Sequence, residues 1–206
     1  MKGEGPRRTP ALEQFWDVLT RSVEARKGLV LQKPTLRPAA VLIPFFEKEG
    51  APFLLLTKRS GGVQRHPGEI AFPGGCLEPA DADLFETALR EGREEIGLEP
   101  KAVRLIGRLD DHETVSGFSV TPFVARISYP YSFRLDLREV TALIEVPFYF
   151  LTDPGQGRER TILFRGNNRT VRSYLYNGND IWGATAEIIH GLVSRFRVTA
   201  QWSGRR

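Results

Sequence analysis

The stretch Ala88–Leu98, ALREGREEIGL, decides how this chain is read. Wound into a helix, Glu91, Glu94 and Glu95 lie three and four residues apart and crowd onto an arc of roughly 100°. Like charges at that spacing repel by about a few tenths of a kcal/mol per pair, and Gly97 is placed to end the helix. Three hard oxygen ligands on one side suit Mg²⁺ or Mn²⁺. Arg90, four residues before Glu94, is positioned to brace it as an i,i+4 pair. For a bare E-x-x-E-E, a solvated acidic face laced with Arg90 and Arg93 is the ordinary explanation, so the flanking sequence has to choose.

Upstream lies GGVQRHPGEIAFPGG, residues 61–75, with five Gly and two Pro in 15 residues, a loop by composition. The helix is expected over 83–96, capped by Asp81 or Asp83. Before the loop, AAVLIPFF (39–46) and PFLLLTKRS (52–60) read as a partly buried hairpin. Beyond the helix, AVRLIGRLDD (102–111) and FSVTPFVARI (118–127) read as strands. VTALIEVPFYFL (140–151) fits either a strand or a short helix. RTILFRG and TVRSYLY form a second hairpin pair, with Asn177–Gly178 as a turn signal. Helical spacing of Leu12, Phe15, Trp16, Leu19 and Val23 gives an amphipathic first helix, and IWGATAEIIHGLVSRF gives a last one. The expected class is α/β (α+β) with a mixed sheet.

From Phe72 onward the sequence resembles the Nudix hydrolase family, whose signature ends R-E-U-x-E-E-x-G-U, with U a bulky aliphatic. Arg90, Glu91, Glu94, Glu95, Gly97 and Leu98 match it, with Gly92 at the first U position. The resemblance implies an α/β/α sandwich around a mixed sheet, in which the helix glutamates hold a divalent metal against a diphosphate. Counting back from Arg90, the signature's upstream Gly and Glu positions hold Cys76 and Ala82. Gly75 falls one residue early, as though the loop had one extra residue.

That extra residue is similar to the coenzyme A diphosphatase subgroup, with Phe72–Gly75 and Thr87–Glu91 as matching segments. The subgroup's upstream motif also matches at Leu55, Leu56, Thr57, Ser60 and Gly68, while its arginine position holds Gln64 beside Arg65. Further resemblance lies in TVSGFSVTPFV (114–124) and WGATAEII (182–189). The implied reaction cleaves coenzyme A, or an acyl derivative, to 4′-phosphopantetheine and adenosine 3′,5′-bisphosphate. Gln64 keeps ADP-ribose, NADH or a nucleoside triphosphate open as substrates. A Nudix-fold binding module without turnover and a helix holding structural Ca²⁺ are the rivals of other classes.

The expected metal ligands are Glu91 and Glu95, with Glu94 either a third ligand or the group held by Arg90. Gly74 and Gly75 allow close backbone approach to metal and phosphate. Lys58, Arg59, Arg65 and His66 are candidates for phosphate contacts. Glu113, Glu145 and Glu94 are all open as the general base. His112 among Asp110, Asp111 and Glu113 reads as a polar loop, His190 as an ordinary packing or surface residue, and Cys76 as structural. Trp16 and Trp182 are core candidates by default. Tyr174 and Tyr176 alternate on one strand face, suited to stacking on adenine or to hairpin packing.

The remaining sequence sets bounds. The net charge of +4 comes wholly from the ends, with Lys2, Arg7 and Arg8 against Glu4 at one and Arg205 and Arg206 at the other. A balanced interior argues against nucleic acid as a partner. No apolar run approaches membrane-spanning length, no secretory core is visible, and a single cysteine excludes an internal disulfide, so a cytoplasmic protein is expected. The organisation expected is a tail and helix over 1–36, one domain over 37–197 and a basic tail over 198–206. The partner is a small nucleotide-diphosphate molecule, and a homodimer is compatible with the sequence.

Overall fold

In the computed structural model, residues 10–62, 67–164 and 166–203 are described. The central strand is β1 (Arg37–Lys48), whose apolar run is buried on both faces. It hairpins into β2 (Ala51–Arg59) through a turn in which Glu49 and Gly50 take left-handed conformations. On its other side β1 pairs in parallel with β7 (Phe118–Ile127), in register from Arg37 opposite Phe118 to Phe45 opposite Arg126. β7 carries β5 (Val103–Arg108) and the short β6 (His112–Glu113). β2 carries β3 (Ile70–Ala71) and β8 (Val140–Pro147).

The edge of β1 that meets β2 is forked. Its first half pairs with β4 (Gly74–Cys76), and its second half pairs with β2 from Phe45 onward. Leu42 donates to the carbonyl of Pro73, so Pro44, two residues on, turns its missing N–H toward the fork. A proline is tolerated inside this strand because no ladder bond is required there. The fork separates the glycine-loop strand β4 from β2.

Alternation along β1 and β2 divides two cores. Ala40, Leu42, Phe46 and Leu55 face α2 (Leu84–Ile96) with Ala88, Ile96 and Leu98. Ile43, Phe45, Leu54 and Leu56 face α1 (Pro10–Glu24), α3 (Phe148–Thr152) and α4 (Gly183–Ser203). A second sheet, β9 (Gly157–Phe164), β10 (Asn167–Tyr176) and β11 (Asn179–Trp182), lies on that same side, with Tyr174 and Ile181 in the core. The result is the expected α/β/α arrangement around a mixed sheet.

The ambiguous stretch 140–151 is both things: β8 ends at Pro147 and α3 begins at Phe148. Asn177 and Gly178 both have positive φ, as a two-residue hairpin turn between β10 and β11 requires. Ile181 and Trp182 belong to β11, so the last helix starts two residues later than its apolar pattern suggests. Tyr174 is buried and Tyr176 packs on Phe150 at 4.9 Å, so hairpin packing accounts for both.

Candidate active site

The acidic helix is fixed at both ends. Asp83 accepts from the backbone of Phe85 and Glu86, each at 2.8 Å, and is the N-cap. Gly97 closes the helix at φ 67°, with its N–H on the carbonyl of Arg93 and that of Leu98 on Gly92. Between these caps, α2 turns Glu91 and Glu95 toward β4 and leaves Glu94 mostly in solvent.

The loop glycines are required by close approach. A Cβ on Gly74 would fall 2.7 Å from Val41 Cα and nearer still to the Ala40 carbonyl. A Cβ on Gly75 would fall 2.8 Å from Glu91 Oε2 and nearer still to Oε1. Gly74 N–H donates to Glu95 Oε2 at 3.3 Å. Each buried glutamate therefore abuts one loop glycine.

Arg90 ties the same loop to the helix. Its Nε and one terminal nitrogen grip Asp81 in a fork at 2.9 and 3.1 Å, and it donates to the Cys76 carbonyl at 3.0 Å. Its remaining nitrogen donates to Glu91 at 2.9 Å and Glu94 at 3.1 Å. Asp81 also accepts from Thr87 and from the backbone of Glu78, and the Arg90 fork holds its carboxyl well below the usual range. Glu94 accepts from Arg90, and its role as a third ligand stays open.

Charge in the site is unbalanced. Burial, and then repulsion from Glu91, push Glu95 up to about 8; Glu95 is only 3% exposed. Burial raises Glu91 as well, against the pull of Arg90. Among the described residues the cation beside Glu95 is Arg59, at 3.7 Å. Arg59 Nε is buried and finds no acceptor among the described residues. Two adjoining carboxylates, Glu95 buried and Glu91 partly buried, fit a divalent cation, and the guanidinium edge of Arg59, unpaired among the described residues, fits a phosphoryl oxygen. Among the described residues no three His, Cys, Asp or Glu side chains stand together as a ready-made metal cage.

Lys58 and Arg59 separate on β2. Arg59 reaches the glutamates, while Lys58 lines a cleft with Ile70 and Trp182. Arg65 and His66, with Gln64, lie outside the described residues. Neither Glu113 nor Glu145 joins the site: the first pairs with Lys33, the second with Lys48 at 2.5 Å and Tyr129 at 3.2 Å. Asp110 and Asp111 accept from the backbone of Leu29 and Leu31 and fasten the segment after α1. Glu139, which no sequence pattern singled out, is exposed and adds a minor like-charge repulsion to Glu91 and Glu95. Its carbonyl accepts from Ser60 at 2.7 Å, placing it where β8 meets the end of β2. Cys76 contributes its carbonyl, as a structural role requires.

The NUDIX domain profile matches residues 35–159, and the chain belongs to that family of diphosphate hydrolases. Members generally use divalent metal ions. The chain is similar to the uncharacterized Nudix hydrolase NudL of Enterobacter sp. (strain 638), 40% identical over 176 residues, covering 85% of this chain and 91% of the relative. NudL of Shigella flexneri is 37% identical over 183 residues, covering 89% and 95%. Among solved structures, a MutT/nudix family protein from Enterococcus faecalis shares the fold at a TM-score of 0.51 and 12% identity, over 95% of this chain and 71% of that one. No helix among the described residues is long and apolar enough to cross a membrane.

Proposed function

We propose that this enzyme hydrolyses the diphosphate of coenzyme A or an acyl-coenzyme A, releasing adenosine 3′,5′-bisphosphate and 4′-phosphopantetheine or its acyl form. The observation that carries the hydrolytic part is the pair Glu91 and Glu95, pressed against Gly75 and Gly74 with Arg59 beside them. The coenzyme A part rests on the similarity of residues 55–75, 114–124 and 182–189 to that subgroup. Gln64 at the subgroup's arginine position favours a second reading with the same chemistry, on ADP-ribose, NADH or a nucleoside triphosphate.

Glu91 and Glu95 are the residues that would hold Mg²⁺ or Mn²⁺. When bound, the ion supplies neutralisation of the diphosphate charge and a more acidic water. Arg59 presents its free edge to a phosphoryl oxygen as charge develops there. Arg90 positions both the loop and Glu91. Water attacks one phosphorus, the bond to the bridging oxygen breaks, and the proton leaves to a carboxylate. Glu139 is the candidate base, recruited from outside the glutamate helix, with Glu94 as the alternative within it.

The test is product analysis on coenzyme A, acetyl-coenzyme A, ADP-ribose, NADH and dGTP, with Mg²⁺, Mn²⁺ or EDTA. Adenosine 3′,5′-bisphosphate formed from coenzyme A and lost in EDTA supports the proposal. Turnover of ADP-ribose or NADH alone replaces the substrate, and no turnover at all rejects the reading. Glu139→Gln should lower kcat by about a hundredfold, within the range for one acid–base group. Glu113→Gln and Glu145→Gln should leave kcat within about threefold, since neither is in the site; the reverse pattern would reassign the base.

A further inference from the structure

Lys58 and Arg59 are adjacent in sequence, yet β2 sends them to opposite sides of the sheet. Arg59 serves the glutamates. Lys58 borders a cleft of about 380 Å³ between the β2–β3 edge and the β10–β11 hairpin, lined also by Ile70, Asn179, Asp180 and Trp182. No residue of the hydrolytic account above lines this cleft.

Its lining is chemically mixed in a particular way. Trp182 offers a wide aromatic surface and is only partly buried. The guanidinium of Arg160 lies over its ring at 5.3 Å, and Arg160 is itself tied to Asp180 at 2.7 Å. The indole is thus held in place before any ligand arrives, and so is the carboxylate beside it. Asn179 donates to the carbonyl of Asn177 at 3.3 Å, which leaves its amide oxygen as an acceptor. The turn glycine Gly178, at φ 75°, has open space where a side chain would stand. An aromatic plate, an amide, a lysine and two carboxylates, Asp180 and Glu69, line the cleft together, a receptor for a flat heterocycle with hydrogen-bonding edges whose attached anion would meet Lys58.

The cleft is also connected to the hydrolytic loop. Ile70 in its wall is four residues before Gly74, at most roughly 14 Å of extended chain. A single nucleoside diphosphate can bridge that gap around the β3–β4 segment.

We infer that this cleft is the nucleoside subsite of the enzyme, in which Trp182 stacks on a heteroaromatic base and Asn179 and Asp180 meet its amine-bearing edge. The inference rests on the diphosphate-hydrolase reading for its link to the glutamates, but not for the cleft itself. It assigns the base specificity of the reaction to the second sheet, which lies outside the glutamate helix and its loop.

Calorimetric titration with AMP tests it without requiring turnover. Trp182→Ala should weaken AMP about tenfold, the loss expected for one base–aromatic stack, while Trp182→Phe keeps most of the affinity. Inorganic diphosphate, titrated in Mg²⁺, carries no base and should bind both variants within about twofold of the parent chain. Asn179→Ala, at a turn-proximal surface position, provides a second variant should Trp182→Ala fold poorly, and it too should weaken AMP but not diphosphate. AMP affinity unchanged in Trp182→Ala and Asn179→Ala, or no AMP binding by the parent chain, overturns the inference. AMP held through Trp182 by a chain that cleaves no diphosphate would overturn the function and leave the subsite standing.

Discussion

Gly75 lacks a side chain at the very place where the Glu91 carboxylate stands: a Cβ there would overlap both of its oxygens. Gly75 does not take a left-handed φ, so an alanine is compatible with the backbone, and the nearest atoms its Cβ would meet all belong to the Glu91 carboxylate. Gly75→Ala should therefore displace the carboxylate without unfolding the chain. A displacement of about 1 Å costs on the order of a hundredfold in rate. Steady-state kinetics beside a thermal melt would check this, with kcat/KM falling and Tm nearly unchanged.

Glu95 makes the stability of the metal-free protein depend on pH. Its carboxyl ionises near 4.5 when the chain is unfolded but only near 8 in the fold, because of burial and Glu91. Below about 4.5 both states are protonated and no penalty exists. As pH rises the unfolded state ionises first, so stability is lost between about 4.5 and 8. The penalty is complete above that window, on the order of a few kcal/mol. In EDTA, Glu95→Gln should melt higher than the parent at pH 8.5 and close to it at pH 5. Excess Mg²⁺ should reverse the order at pH 8.5.

Arg90 and Asp81 should behave as one unit. The fork between them joins α2 to the loop, and the Asp81 side chain is only 3% exposed. Removing either partner strands the other, so Arg90→Ala and Asp81→Ala should each cost about 2 kcal/mol or more. The double variant should cost much less than the sum, a coupling of about 1–3 kcal/mol. Because the folded Asp81 carboxyl titrates lower than the unfolded one, its stabilisation holds at neutral pH and is lost as pH falls below about 4. Urea melts of the four chains at pH 7 and pH 3 measure both effects.

Gly92 is a place where the helix is weaker than it need be. A Cβ there would meet only Leu42 Cδ2, at an ordinary 3.9 Å. Gly92→Ala should stabilise the protein by about 0.5–1 kcal/mol, seen as a higher Tm with unchanged metal affinity.

How far the sequence could be read depended on the range of the signal. The glutamate helix was legible because its cap, stripe and terminal glycine are all local. The forked edge of β1 was not, since Pro44 has meaning only once β4 and β2 are both in place. Lys58 and Arg59 looked equivalent as loop-feeding cations, and only the alternation of β2 separates them. Trp182 reads as the start of an amphipathic helix and as core. Pairing of Ser173 with Trp182 instead makes it strand and brings it to the cleft. Glu139 carries no motif, and the β2–β8 pairing alone brings it toward the glutamates. Asp81 and Asp83 were indistinguishable as caps; Asp83 takes the helix N-terminus and Asp81 takes Arg90.

The most direct test of the account is calorimetric titration of Mn²⁺ into the parent chain, Glu91→Gln and Glu95→Gln. Binding by the parent, weakened at least about tenfold in each variant, is the predicted result. Equal Mn²⁺ affinity in all three chains would contradict the assignment of these two carboxylates and the hydrolytic site built on them.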